Sequence, residues 1–246
     1  MGIKKLGILG GMGPYATLVF FDQLIQQTKA QKDQEHIDTI ILNHATIPDR
    51  TETILNNNGE VFLEAIKKDL AIFEAADVSN IAIPCNTSHY YFKEIQEMTE
   101  INIINMIEET MKSVTDKFGE NAKIALMSTS GTIHSKIFEI EAQIHGNVEI
   151  YVPEQQIQEK IMEIIYQIKG YIPVNIEIIE NLITYFVEQK KCDGVILGCT
   201  ELSTINLNKK VQQYCVDSLD SLVKSSILLS GKEIKIKQPL LGKVSV

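Results

Sequence analysis

Apolar residues in this chain follow two alternating patterns. Short, continuous, β-branched runs predict strands that are buried on both faces. Between them, apolar residues recur at the three- and four-residue spacing of one helix face. This alternation is typical of an α/β protein with parallel sheets and right-handed crossovers. The predicted strands cover 5–10, 39–43, 80–84, 101–104, 123–128, 148–152 and 194–198, and the clearest helices cover 17–29, 59–76, 155–168, 174–189 and 219–229.

Two stretches of the sequence repeat in the same order. ADVSNIAIPCNTS (76–88) aligns with CDGVILGCTELS (192–203), and KLGILGGMGP (5–14) aligns with KIALMSTSGT (123–132), at nearly the same spacing. The repeat predicts two pseudosymmetric parallel-sheet α/β domains with the active site in the cleft between them. We place the first domain at 1–117 plus 209–246, with the C-terminal helix returning to it, and the second domain at 118–208.

Each copy of the first repeat ends its strand next to a cysteine, Cys85 or Cys199. Ligands bind at the carboxyl ends of parallel strands, so two facing halves would point both thiols into one cleft. Both cysteines precede predicted helix starts, where the helix dipole lowers the pKa of a thiol and favours the thiolate. Two opposed thiols can invert a carbon centre, because one removes a proton from one face and the other returns a proton to the opposite face. Cys192 and Cys215 lack these flanks and are interpreted as buried structural residues.

Composition narrows the classes of function. The 246-residue chain has a formal net charge of -9, which argues against non-specific nucleic-acid binding because such binding needs a basic face. No run reaches the ~18 apolar residues of a membrane span, and the short N-terminal run is broken by glycine, unlike a signal peptide. Four cysteines without a CxxC pair predict neither a zinc site nor disulfides. We therefore expect a cytoplasmic protein that binds no nucleic acid, no membrane and no metal.

The glycine loop after the first strand raises a competing interpretation. Gly11 to Ala16 fits the GxGxxA pattern of a dinucleotide-binding turn. That pattern also requires an acidic residue at the end of the second strand, where this chain has Asn43. Pro14 removes one backbone donor from the loop as well. Nicotinamide binding is therefore the weaker interpretation.

Five motifs together resemble those of the cofactor-independent aspartate/glutamate racemase superfamily: GILGGMGPYAT, NHATIPDR, IPCNTSHYY, IIYQIKG and GCTELS. Glutamate racemases carry an Asp-Ser near the first glycines and a GCTH motif, whereas this chain has GGMG and GCTE and resembles the aspartate racemase branch. The resemblance implies a homodimeric isomerase that uses no cofactor and interconverts L- and D-aspartate, glutamate or both. It also implies catalytic roles for Cys85 and Cys199, carboxylate binding by Arg50 and substrate binding by Lys169.

Other polar residues near these motifs complete the candidate site. Hydroxyl, amide and backbone donors suit the carboxylate of an acidic amino acid, and the amides of the glycine loop could cradle its carboxylate or its amino group. Glu201 is open to two interpretations, since it could bind the amino group or cap a helix. The further candidate substrate-binding residues are Met12, Gly13, Asn43, Asn86, Thr87, Ser128, Thr200 and Glu201.

Several alternatives stay open at this point. Hydantoin racemases and maleate isomerases share a two-cysteine cleft, although Arg50 and the glycine loop favour an amino diacid. A catalytically silent protein that binds an acidic amino acid is the alternative outside the enzymes, but binding alone requires neither thiol. A loop arginine is otherwise a solvated surface charge, and Lys169 at a helix end could simply complement the helix dipole. His44 and His89 are interpreted as structural.

Overall fold

The computed structural model describes residues 4–235 and contains two parallel sheets of four strands each. The strand order is β2-β1-β3-β4 in the first sheet and β6-β5-β7-β8 in the second. The order is the same in both when each half is counted from its own first strand. The predicted fold class is therefore confirmed. The strands are β1 Leu6–Gly10, β2 Thr39–Asn43, β3 Asn80–Ala82, β4 Asn102–Ile103, β5 Lys123–Met127, β6 Glu149–Tyr151, β7 Gly194–Leu197 and β8 Cys215–Asp217.

The central strands of each sheet are buried, as their continuous apolar runs predict. All five residues of β1 and all four of β7 are buried. In contrast, β2 is an edge strand and alternates between partly buried and exposed positions. Strands β3 and β7, which precede the two candidate cysteines, are both inner strands. The two cysteines therefore follow the carboxyl ends of central strands.

Eleven α-helices connect these strands within the described residues. Their bounds agree within a few residues with the five predicted helices, and α1 begins at Pro14, which has the fixed φ that suits the first helical position. The helices are α1 Pro14–Gln27, α2 Arg50–Leu55, α3 Gly59–Ala75, α4 Phe92–Gln96, α5 Met106–Phe118, α6 Ser130–Ser135, α7 Ile137–Ile144, α8 Gln155–Lys169, α9 Ile176–Glu188, α10 Lys209–Gln212 and α11 Ser218–Leu229.

The two halves exchange helices. Helix α5 follows the first sheet but packs its Met111 and Val114 with Ile124 and Ile196 of the second sheet. Helix α11 follows the second sheet and returns to pack against α1, α5 and β3, with Leu222 fully buried. Because each half covers part of the other's sheet, the cleft between them is framed by a shared core.

The last strand departs from the sequence-based division of the chain. Residues 209–246 were assigned to the first half, but β8 pairs in parallel with β7 and completes the second sheet. The strand has only three residues, which is too short for a periodic apolar pattern to appear in the sequence. The chain therefore returns to the first half at α11 rather than at residue 209. Residues 236–246 of the predicted first domain lie outside the described residues.

Candidate active site

The two strand-end cysteines line one cavity between the halves. Cys85 lies three residues after β3 and Cys199 two residues after β7, and both are buried. The cavity has a volume of about 10 Å³, which is room for roughly one water molecule. An amino acid therefore requires side chains or the two halves to move apart. The lining residues are Met12, Asp49, Arg50, Thr51, Cys85, Asn86, Thr87, Thr129, Lys169, Cys199, Thr200 and Glu201.

Three predicted site residues lie outside this lining. Gly13 borders it, since a Cβ there would lie 3.1 Å from Oε1 of Glu201. Asn43 ends the edge strand β2 and is exposed. Ser128 is fully buried, and its hydroxyl donates to the Gly198 carbonyl at 2.6 Å. Asn43 therefore lies at the sheet edge, and Ser128 uses its hydroxyl within the fold.

Sequence reasoning missed three lining residues, Asp49, Thr51 and Thr129. Asp49 caps α2 by accepting the Glu52 N–H at 3.1 Å. Thr129 follows β5, and in the aligned repeats it corresponds to Gly11 of the glycine loop. That alignment was the available signal for Thr129. Thr51 carried no signal beyond its place next to Arg50.

Arg50 is a buried cation that the fold holds in place. It is the only arginine in the sequence and is only 7% exposed. Its Nη1 donates to Pro48 O at 3.0 Å and its Nη2 to Met12 O at 3.3 Å, while Nε has no hydrogen-bond partner within residues 4–235. No carboxylate of the described chain forms an ion pair with it. A buried guanidinium without a counter-ion is costly, so its position suits an anionic ligand.

Lys169 supplies a second cation from the other half. It ends α8, and its Nζ lies 5.1 Å from the ring centroid of Tyr166. Burial acts to lower the pKa of Lys169, but the electrostatic effect of the nearby acidic groups, Glu201 first, outweighs burial and raises it. The side chain is therefore charged at neutral pH, and the cavity has one cation from each half.

Cys199 is held as a thiol. Its Sγ donates to Oε2 of Glu201 at 2.9 Å. Burial, followed by the charge of Glu201, raises the pKa of Cys199 well above its ordinary value. The sequence predicted a lower pKa from a helix start, and for Cys199 this was wrong. Only a short 3-10 turn, Leu202–Thr204, follows it, and such a turn lacks the aligned peptides that give a helix its dipole.

Cys85 has different surroundings. A 3-10 helix, Thr87–Tyr91, follows it instead of an α-helix. His89 is buried and bridges the Cys85 carbonyl and the start of α5: its Nδ1 lies 2.9 Å from Cys85 O, and its Nε2 accepts the Met106 N–H at 3.1 Å. Because Nε2 accepts, Nδ1 carries the proton and donates to Cys85. Burial lowers the pKa of His89, so the ring is neutral and structural.

Three threonine hydroxyls connect the halves behind the cavity. Thr87 from the first half lies 3.0 Å from Thr129 and 2.9 Å from Thr132, both of the second half. Thr129 and Thr132 are themselves 3.1 Å apart. All three side chains are buried. Thr87 and Thr129 both line the cavity, and their hydroxyls are held by their mutual hydrogen bond.

The glycine loop uses its backbone within the fold. The Gly11 N–H donates to Thr17 Oγ1 at 2.9 Å, and a Cβ on Gly11 would lie 2.4 Å from the carbonyl carbon of His44. The Gly11 amide is therefore engaged within the fold, and a role in binding substrate stays a prediction for the other amides of the loop. Of this loop, Met12 lines the cavity. His44 lies outside the cavity lining, and its Nδ1 is 2.8 Å from Oδ2 of Asp69.

Residues 4–235 contain no group of three His, Cys, Asp or Glu side chains arranged to hold a metal ion. Over the same range, no helix is both long and apolar enough to cross a bilayer. All four cysteines are free and buried, so Cys192 and Cys215 occupy the core as predicted.

The fold and the paired strand-end thiols define the class of protein. Residues 9–225 match the family model described as Asp/Glu/hydantoin racemase, so the chain belongs to this family of isomerases. The chain is similar, at 26% identity over 228 residues, to the broad specificity amino-acid racemase RacX of Bacillus subtilis (strain 168), covering 90% of this chain and 96% of RacX.

Solved structures show the same likeness. The aspartate racemase of Picrophilus torridus has a TM-score of 0.79 and 29% identity, with 94% of this chain and 96% of that chain covered. An aspartate racemase homologue from Pyrococcus horikoshii OT3 has a TM-score of 0.76 at 24% identity, with 93% and 99% covered, and shares the fold. The family resemblance stated from the motifs is confirmed.

Proposed function

We propose that this protein is a cofactor-independent racemase that interconverts L- and D-aspartate, with Cys85 and Cys199 as its acid/base pair. One observation carries the proposal. Two buried thiols, one from each half, line the same cavity together with one cation from each half, Arg50 and Lys169. Two thiols suit proton transfer on both faces of a carbon atom, and two cations suit an amino acid with two carboxylates.

Each side of the cavity has its own part in binding. The guanidinium of Arg50, anchored by two carbonyls, presents an unpaired Nε to one substrate carboxylate. Lys169 neutralises the other carboxylate as a point charge. Thr87 and Thr129 also line the cavity. Uncharged amino acids would leave one buried cation without a counter-ion, which favours acidic substrates.

The proton transfer conserves protons over one turnover. A thiolate takes the α-proton and becomes a thiol, the electron pair remains on the substrate as a carbanion, and the opposite thiol donates its proton to the other face. The two cysteines have then exchanged protonation states. In the described state Cys199 holds its proton against Glu201. Each cysteine is thus the base for one enantiomer and the acid for the other.

Substrate range is the second question. The likeness to the Picrophilus torridus aspartate racemase at 29% identity supports aspartate, while the likeness to RacX supports a broader set of amino acids at 26% identity. The two cations at the cavity favour an amino acid with two carboxylates, and aspartate is the shorter of the two common ones. Glutamate, one methylene longer, is the next candidate.

The test is a chiral assay of the purified full-length protein, freed of metal and pyridoxal phosphate. We expect racemisation of L- and D-aspartate, slower reaction of glutamate, and little reaction of alanine. Equal rates for neutral and acidic amino acids would establish a broad-specificity enzyme instead. A hydantoin or maleate substrate turned over in preference to aspartate would identify another two-cysteine member of the family. Binding of aspartate without racemisation or α-proton exchange would indicate a silent binding protein.

A further inference from the structure

One buried hydroxyl outside the cavity lining contacts both cysteine motifs. Ser218 lies where β8 ends and α11 begins, at the point where the chain passes from the second sheet back to the first half. Its side chain is fully buried. It contacts Asn86, the residue after Cys85, and Leu197, two residues before Cys199.

The directions of these hydrogen bonds follow from their chemistry. The Ser218 hydroxyl donates to the Leu197 carbonyl at 2.8 Å, and a carbonyl can only accept. The single hydroxyl proton is thereby used. At 2.9 Å, Ser218 must therefore accept a hydrogen bond from Asn86, and only the Nδ2 amide of that side chain can donate. Ser218 thus fixes which way the Asn86 amide faces.

The fixed amide leaves an acceptor for a ligand. Asn86 lines the cavity and is 2% exposed. With Nδ2 bound to Ser218, its Oδ1 is buried and has no partner within residues 4–235. A buried carbonyl oxygen without a donor destabilises the protein unless a ligand supplies one. The ammonium group of an amino acid is such a donor, and it is the one part of aspartate that Arg50 and Lys169 cannot bind.

We infer that Ser218 is a positioning residue for racemisation: it holds the Asn86 amide so that Oδ1 accepts from the substrate ammonium group, and it ties this amide to the strand that carries Cys199. The inference rests on the proposed function, since it requires an amino-acid substrate. Without Ser218, the Asn86 amide can rotate and present Nδ2, which would repel the ammonium group.

The first test is Ser218→Ala, assayed with L- and D-aspartate. We expect kcat/KM to fall roughly ten-fold, the size of one lost hydrogen bond to a charged group. Most of the fall should be in KM, because the ammonium charge is bound in the ground state and in the transition state alike. The matched control is Ser226→Ala. Ser226 is also fully buried in α11, but its hydroxyl donates only within its own helix, to Leu222 O.

The second test asks whether Ser218 acts through Asn86. The double variant Asn86→Ala with Ser218→Ala should be no worse in KM than Asn86→Ala alone, since the amide that Ser218 orients is already gone. Ser218→Cys, which keeps the side-chain size but accepts hydrogen bonds weakly, provides a second variant if the alanine variant folds poorly. It should show the same rise in KM.

Each outcome decides between the inference and its basis. Unchanged kinetics in Ser218→Ala, equal losses in Ser218→Ala and Ser226→Ala, or additive losses in the double variant would each overturn the positioning role while wild-type racemisation upholds the proposed function. A wild-type protein that racemises no amino acid would overturn the proposed function and, with it, the role of Ser218.

Discussion

The two thiols differ more than their matched motifs suggest. Cys199 has a carboxylate partner at 2.9 Å, whereas the residue at the equivalent place after Cys85 is Thr87, whose hydroxyl is engaged by Thr129 and Thr132. The pseudosymmetry of the backbone is therefore broken at the reacting groups. This difference allows single substitutions to separate the roles of the two cysteines.

Replacing either thiol with serine should stop racemisation, because a hydroxyl is scarcely ionised at neutral pH and is a far weaker base. Each variant, Cys85→Ser and Cys199→Ser, keeps one thiol that can still exchange the α-proton of one enantiomer. We expect residual exchange with opposite enantiomeric preference, measured by proton NMR of L- and D-aspartate in deuterium oxide. If either variant racemised aspartate at the wild-type rate, the two-thiol mechanism would be ruled out.

Glu201→Gln should change the pH dependence of activity. Burial and the charge of Glu201 both raise the pKa of Cys199, and the substitution removes the charge while burial remains. The limb of the kcat/KM profile that reports Cys199 should therefore move to lower pH in both directions of the reaction. Glu188→Gln, at an exposed position, is the control with the same change in net charge. Identical profiles for the two variants would contradict this role of Glu201.

Arg50→Lys should keep the charge but lose the planar fork that binds a carboxylate through two hydrogen bonds. We expect kcat/KM for aspartate to fall by about 10²-fold or more, in line with the loss of a bidentate charged contact. The melting temperature should change little because the substituted side chain remains a cation beside the same carbonyls. Kinetics equal to those of the wild type would return Arg50 to a purely structural role.

The approach of α2 and α6 sets how closely the halves meet. Gly131 of α6 faces Thr51 of α2, and a Cβ on Gly131 would lie 2.9 Å from the Thr51 Cα. Because backbone cannot yield as a side chain does, the two helices can reach this distance only with glycine at residue 131. Arg50 begins α2 and Thr129 precedes α6, so this contact brings both residues to the cavity.

Gly131→Ala should therefore push α2 away from α6 and widen the cleft. We expect a fall of roughly ten-fold in kcat/KM, since misplaced reacting groups lose rate steeply, with a modest loss of stability. The control is Ser135→Ala in the same helix, whose hydroxyl donates only to Thr132 O. Racemisation at the wild-type rate by Gly131→Ala would show that the helix contact does not set the geometry of the site.

Stability of the whole molecule should depend on the neutral state of His89. Burial lowers its pKa from the ordinary value of 6.5, so below about pH 6.5 the unfolded chain takes up a proton that the native protein does not. The free energy of unfolding should therefore fall as the pH decreases through this range, by up to about 1.4 kcal/mol per pH unit. Urea unfolding at several pH values measures the slope.

The variant His89→Gln isolates this contribution. Asp217 acts in the opposite sense, because burial raises its pKa to about 6, so the native protein takes up a proton there before the unfolded chain does. The difference in slope between wild type and His89→Gln cancels the Asp217 contribution. Equal slopes in the two proteins would show that His89 is protonated in the native state.

The homodimer implied by the resemblance stays a prediction, and sedimentation velocity would show it as a species of twice the 27.7 kDa chain mass.

The sequence by itself determined the architecture and the positions of the two thiols. Continuous apolar runs fixed the buried strands, and Cys85 and Cys199 follow those strands directly, so a local pattern was sufficient. The repeat then placed them in facing halves. The short strand β8 was missed because three residues carry no period, and it belongs to the second sheet.

Only the tertiary structure decided what surrounds each thiol. It removed Asn43 and Ser128 from the cavity lining, added Asp49, Thr51 and Thr129, and placed the Cys199 proton against Glu201 in a buried site. It also joined Asn86 to Ser218 across 132 residues of chain. Burial, charge and hydrogen-bond partners are set by contacts between residues far apart in sequence, and no local pattern encodes them.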